Sequence, residues 1–261
     1  MPVKLHDLVT EKGKGIFFSP FCYPVRLSLH AKGIEFDTEE VQYQDLRFVW
    51  TPKLGVDKAT APFIEREDGS HLMGSLDIAL WLDKTFPSHP NLFLPEADLP
   101  VEVDSAEYRQ AVESFRALDD AAFQPLATAI SNLYAPRITK ALDAESSKYW
   151  IDKHNYKEGE WERLTSATEE DDAKVVAQIQ NQLRQLTEER LKDGRLFFAF
   201  ATKPGYHDFA LAGWTRLLRS LSPTLYRETF RSEKSGTIAG WSERMDEVVP
   251  TPEVWCRDPK E

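Results

Sequence analysis

The chain has 261 residues, of which 41% are hydrophobic, and a formal net charge of −11 at pH 7. That is enough apolar material for one large domain or two modest ones, and it excludes disorder over most of the length. The acidity argues against nucleic acid or an anionic membrane surface as the main partner, because both reward clustered Lys and Arg. The two cysteines, Cys22 and Cys256, support neither a disulfide scaffold nor a cysteine-rich zinc site, and no segment reaches the roughly 18 uncharged residues of a membrane span; the expectation is a soluble, cytoplasmic protein.

In chain order, Val3 to Val9 reads as a strand. Residues 20–33 read as a helix ended by Gly33, and Glu35 to Tyr43 as a second strand with Ile34, Phe36, Val41 and Tyr43 as its apolar positions. After a proline-interrupted connection, Ala61 to Met73 reads as a hairpin turning at Asp68-Gly69, and Ser75 to Phe86 as a helix. Pro87, Pro90, Pro95 and Pro100 punctuate a stretch with no periodicity, which marks a linker. The expected organisation is therefore an α/β unit over 1–86, a linker over 87–101 and an all-helical domain over 102–261. Apolar residues recur at spacings of three and four over 102–133, 171–193, 206–221 and 226–247. The short run Leu196 to Phe200 is the one place beyond the linker where a strand is in question. Residues 143–172 are strongly polar and are assigned to the surface.

At the start of the first helix stands Ser19-Pro20-Phe21-Cys22. Ser caps free backbone N–H groups and Pro suits the first helical position. The same helix end attracts anions such as a thiolate. The tetrapeptide by itself is thus a cap, a site, or both. Ser75, directly after a strand and at a helix start, has the same dual reading.

A strand-helix-strand followed by strand-strand-helix, with Ala61-Pro62-Phe63-Ile64 opening the third strand and Ser-Pro-x-Cys opening the first helix, is the thioredoxin-like arrangement. The chain resembles the glutathione transferase superfamily. The resemblance rests on Ser19-Pro20-Phe21-Cys22, Val25-Arg26-Leu27, Lys32-Gly33-Ile34, Ala61-Pro62-Phe63-Ile64, Gly74-Ser75-Leu76-Asp77-Ile78-Ala79-Leu80-Trp81-Leu82-Asp83 and Pro204-Gly205-Tyr206-His207-Asp208-Phe209-Ala210-Leu211-Ala212. Within it, Lys148-Tyr149-Trp150-Ile151-Asp152 and Trp161 look most like the etherase-related members.

The resemblance implies an α/β thioredoxin-like N-terminal domain followed by an all-α domain, glutathione as co-substrate, and a homodimer. It implies that the Ser19 hydroxyl donates to the glutathione sulfur, holding it as the reactive thiolate. Ala61 and a cis Pro62 would present a backbone edge to the cysteinyl unit, Gly74 and Ser75 would receive the glutamyl end, and Lys53 or Lys58 the glycyl carboxylate. Where the family usually carries an acidic residue before this serine, the chain has Gly74, with Asp77 as a substitute to be tested. Asp208 would serve as a buried helix cap. Phe18, Tyr23, Tyr134, Trp150 and Trp214 are the candidate wall for a hydrophobic, aromatic electrophile, with aryl ether cleavage as one outcome. Cys22 occupies the second position of the Cys-x-x-Cys of thioredoxins, but the first cysteine is absent, so it reads as a small core group. The histidines His30, His71 and His207 show no sequence spacing that suits a metal, and none is expected. Two other readings remain open: a carrier of hydrophobic ligands in the same cleft, and a glutathione-dependent thiol reductase acting through Cys22.

Overall fold

The structure, a computed structural model, describes residues 3–248; Cys256 lies outside them. Strand β1 (Val3–Leu8) pairs in parallel with β2 (Phe36–Val41) and antiparallel with β3 (Phe63–Glu65), which pairs antiparallel with β4 (His71–Met73), giving the order β2-β1-β3-β4. A parallel β1–β2 pair needs a crossover, and α1 (Cys22–Ala31) supplies it. The two faces of β1 meet different neighbours because successive side chains alternate. From one face Asp7 reaches Arg26 on α1 at 2.5 Å. From the other, the His6 ring packs edge-on to Trp50 with centroids 4.5 Å apart.

Trp50 belongs to the proline-interrupted connection, which is helical, and the strand expected to run to Tyr43 ends before it. Strand β2 stops at Val41, and α2 (Tyr43–Asp45), a π-type turn over 46–50 and α3 (Thr51–Leu54) follow without a break. The Asp45 carboxylate accepts the Gln42 N–H at 2.7 Å, so the backbone turns helical one residue before Tyr43 would have extended the strand. The hairpin forms as expected, with Gly69 at φ 79° in its turn, and α4 (Ser75–Thr85) follows it.

Beyond the irregular stretch after α4, the chain is helical. It contains α5 (Ala106–Leu118), α6 (Gln124–Ala141), α7 (Ala144–His154), α8 (Glu160–Thr165), α9 (Glu169–Arg190), α10 (Tyr206–Leu221), α11 (Pro223–Tyr226) and α12 (Thr237–Val248). The polar stretch over 143–172 is more structured than its composition suggests: Asp143 caps α7 by accepting the Glu145 and Ser146 N–H groups, and Trp150 is buried. The expected helix over 226–247 is broken by Gly236, which has φ 59°. The run Leu196 to Phe200 is not a strand; Phe197 and Phe198 are buried there without one.

Two buried carboxylates join the parts. Asp208, fully buried, accepts N–H groups from Phe198 (2.8 Å), Ala199 (3.1 Å) and Gly205 (3.1 Å) and the Trp241 indole N–H at 2.8 Å. It fills the capping role expected of it and in addition pins the non-helical run to α10 and α12. Asp83 on α4 takes the Lys32 ammonium at 2.8 Å, the Leu92 N–H at 3.0 Å and the Tyr108 hydroxyl at 3.1 Å, so α1, α4, the irregular stretch and α5 meet at one group. Helix α10 carries the contact between the two halves. At Gly213 a Cβ would stand 2.1 Å from the Pro20 carbonyl oxygen, so only a residue without a side chain lets α10 lie this close to the loop that holds Ser19.

Candidate active site

The turn Ser19-Pro20-Phe21 precedes α1, which begins at Cys22 rather than at Pro20. Ser19 Oγ accepts the Cys22 N–H at 3.2 Å, and the Ser19 carbonyl accepts the N–H groups of Cys22 and Tyr23 at 3.2 and 3.4 Å. The serine is thus a working cap. One of its two lone pairs is engaged by the backbone; the hydroxyl proton rotates to suit a partner, and the Cys22 thiol is one within reach. The serine sits at the edge of a cleft between the two halves of the molecule, lined by Phe18, Ser19, Pro20 and Ala61 from the α/β half and by Tyr134, Trp150 and Trp214 from the helical half.

Ala61 precedes Pro62 in a cis peptide bond. The Pro62 carbonyl accepts the Gly74 N–H at 3.1 Å, which brings the N-terminus of α4 alongside. Gly74 has φ 94°, a conformation that other L-residues rarely adopt. The Oδ2 of Asp77 stands 3.0 Å from where a Gly74 Cβ would be. A carboxylate from one turn along the helix therefore occupies the space beside Gly74. Ser75 is half-buried, and its side chain lies near the buried Tyr206 phenol.

Not every candidate enters the cleft. Tyr23 is buried and points its hydroxyl to the Phe17 carbonyl and Ser220 Oγ, both at 3.4 Å. It packs between α1 and α10 and is not part of the aromatic wall, because one residue past the start of α1 it already faces the helical half. Lys53 is exposed, with its ammonium 4.1 Å from the centroid of the Trp50 ring. Lys58 lines the cleft. Cys22 is fully buried, and burial, reinforced by the nearby Asp7, pushes its thiol well above the usual range. It is not poised as a nucleophile.

The cleft also contains residues that the sequence did not mark as part of a site: Tyr43, Tyr149, Lys153 and His154. The last three share a face of α7 with Trp150, since Tyr149 and Lys153, and Trp150 and His154, are four residues apart. That spacing was the available signal. Burial, with Lys58 nearby, lowers the Lys153 pKa, and burial lowers that of His154. The Nδ1 of His154 donates to the Trp150 carbonyl at 2.7 Å, which leaves Nε2 for other work. Among the described residues, the ionisable side chains of the lining other than tyrosine are Lys58, Lys153 and His154, and none is a carboxylate. In a chain of net charge −11, that is a local reversal of sign.

The model of the glutathione S-transferase N-terminal domain matches residues 18–85, and that of the glutathione S-transferase C-terminal domain matches residues 115–247. The chain belongs to the glutathione S-transferase family. A search of curated protein sequences finds no match. Among solved structures, this glutathione S-transferase is similar to CsGST63524 of Ceriporiopsis subvermispora, in complex with glutathione (22% identity, TM-score 0.74, covering 97% of this chain and 100% of that one). It is also similar to GSTFuA2 of Phanerochaete chrysosporium (21%, 0.68, 97% and 100%). A third is the beta-etherase LigF of Sphingobium sp. strain SYK-6 (17%, 0.59, 97% and 97%). At these identities the likeness is one of fold. Among the described residues no helix is long and apolar enough to cross a membrane.

Proposed function

We propose that the protein is a glutathione-conjugating enzyme in which Ser19 donates its hydroxyl proton to the glutathione sulfur and holds it as the thiolate. The observation that carries this reading is the placement of Ser19 at the cleft edge, where the Cys22 N–H fixes its oxygen and the hydroxyl keeps a proton to donate to a sulfur bound there. The adjoining helix start adds a favourable field for the anion. The Ala61 main chain takes the cysteinyl backbone. Gly74 and Ser75 take the glutamyl carboxylate, with Asp77 meeting the glutamyl ammonium, and Lys58, rather than the Trp50-stacked Lys53, takes the glycyl carboxylate. Similarity to structures crystallised with glutathione supports the same assignment.

The second substrate is a hydrophobic, aromatic electrophile held against Phe18, Tyr134, Trp150 and Trp214. Lys153 and His154 favour one that develops negative charge on its leaving group, as a phenolate does when a thiolate displaces it from carbon. Holding thiolate and electrophile together supplies the proximity component of the rate. The burial of Cys22 weighs against a thiol-reductase reading. By family resemblance the enzyme works as a homodimer, and exposed Phe48 and Val49, 62% and 51% accessible, offer an apolar surface on the α/β half.

The test is turnover with an aromatic electrophile together with glutathione binding by calorimetry. Ser19→Ala is expected to lower kcat about 10²-fold or more while changing glutathione affinity little, the pattern of a group used mainly in the transition state. Unchanged turnover removes Ser19 from the mechanism. If the wild type binds hydrophobic compounds but turns over no electrophile, the protein is a carrier.

A further inference from the structure

Buried polar side chains are almost always hydrogen-bonded, and one that is not calls for a cause. His6 is 1% exposed. Its ring is stacked on Phe63 with centroids 4.0 Å apart, and among the described residues neither of its ring nitrogens has a hydrogen-bond partner. The pairing of β3 with β4 sets Glu65 opposite His71, and that of β1 with β3 sets His6 opposite Phe63 and Lys4 opposite Glu65. By strand alternation, His6, Glu65 and His71 then project from one face of the sheet. Glu65 Oε2 lies 4.0 Å from His6 Nε2 and 3.9 Å from His71 Nε2. These separations are too long for hydrogen bonds, and His71 Nε2 is likewise buried without a hydrogen-bond partner among the described residues. Two bare imidazole nitrogens thus face one carboxylate oxygen, with the donor atoms of the three residues within 4.8 Å of one another.

We propose that His6, Glu65 and His71 form a binding site for a divalent transition-metal ion of the zinc type. Two imidazoles and a carboxylate are a recurring zinc ligand set, with bonds of roughly 2.0–2.2 Å that leave one position for water. Tetrahedral bonds of that length put neighbouring ligand atoms roughly 3.4 Å apart, so the two Glu65–imidazole separations need to close by less than about 1 Å, and the two imidazole nitrogens, which lie within 4.8 Å of each other, by no more than about 1.4 Å. His6 is held in place by aromatic rings, whereas the His71 and Glu65 side chains are 20% and 31% exposed. The site therefore has one rigid ligand and two that can adjust, with an entry path on the solvent side. Lys4 reaches the same Glu65 oxygen at 3.9 Å from a side chain that is 42% exposed, and it can swing into water when an ion takes the carboxylate. None of the three ligands lines the cleft. The ion would join β1, β3 and β4 beneath Trp50 rather than take part in conjugation. Because it binds the assembled strands, it raises the stability of the native state.

The test uses the full chain after chelator treatment, titrated with Zn²⁺ by calorimetry and with Co²⁺ by visible absorption, with thermal unfolding in parallel. The expected result is one equivalent bound per chain, an intense four-coordinate Co²⁺ spectrum and a raised unfolding midpoint. Glu65→Gln and His71→Ala, both at partly exposed positions, are each expected to abolish the bound equivalent and the midpoint rise while leaving the circular dichroism of the apo form unchanged. His30→Gln is expected to leave binding intact. Absence of saturable Zn²⁺ binding in the wild type, or binding that survives both Glu65→Gln and His71→Ala, overturns the proposal.

Discussion

Gly213→Ala sets two effects of opposite sign against each other. Alanine in a helix interior is favoured over glycine by about 1 kcal/mol, so on propensity alone the variant should be the more stable. The added Cβ, however, would stand 2.1 Å from the Pro20 carbonyl oxygen and 3.1 Å from the Pro20 carbonyl carbon. Both are backbone atoms, and ordinary contact needs α10 and the Ser19 loop to part by roughly 1 Å. Overpacking of this kind costs about 1–3 kcal/mol, so the net expectation is destabilisation by up to about 2 kcal/mol. The loop that moves carries Ser19, and a displacement of about 1 Å at a reacting group can lower the rate about 10²-fold. Gly240→Ala on α12 is the control. Its Cβ would meet only the far end of the Arg244 side chain, at 3.1 Å, so that variant should gain stability and keep full activity. The assay is chemical denaturation of both variants beside kcat/KM for conjugation. If Gly213→Ala matches Gly240→Ala in both, the close approach of α10 does not position Ser19 and the reasoning fails.

Other outcomes follow from the buried charges. Lys32→Met strands the Asp83 carboxylate in a site where both partners of the pair are 0% exposed. The expected loss is about 3–5 kcal/mol in denaturant unfolding, partly recovered by adding Asp83→Asn; a loss under about 1 kcal/mol would contradict it. His207 is 4% exposed, and burial, with Arg190 nearby, lowers its pKa to about 4. Between about pH 6.5 and pH 4 the unfolded chain binds a proton at this residue that the native state does not, so its contribution to stability falls as the pH falls through that window, by up to about 3 kcal/mol. The unfolding free energy of the wild type should therefore drop more steeply on acidification than that of His207→Asn. Parallel curves would show that the buried imidazole does not resist protonation.

The sequence alone determined the four strands of the α/β half with their first and last helices, the turn at Asp68-Gly69 and the helical second half, and the family resemblance added the cap at Asp208. Each is written in local periodicity, turn chemistry or a short motif. Ser19 was legible as a cap for the same reason, and the family resemblance carried it toward the sulfur. The segment 43–54 was not legible, because its helical turns follow from a single carboxylate closing on the Gln42 N–H and from Trp50 covering the sheet, not from a repeating pattern. Tyr23 and Lys53 had the right composition for the site, but what they face is decided by packing against α10 and against Trp50. Only tertiary structure could bring Lys153 and His154 to the cleft or gather His6, Glu65 and His71. His6 lies far along the chain from Glu65 and His71, and α7 from the α/β half, and strand pairing and domain contact, which no local spacing encodes, bring them together.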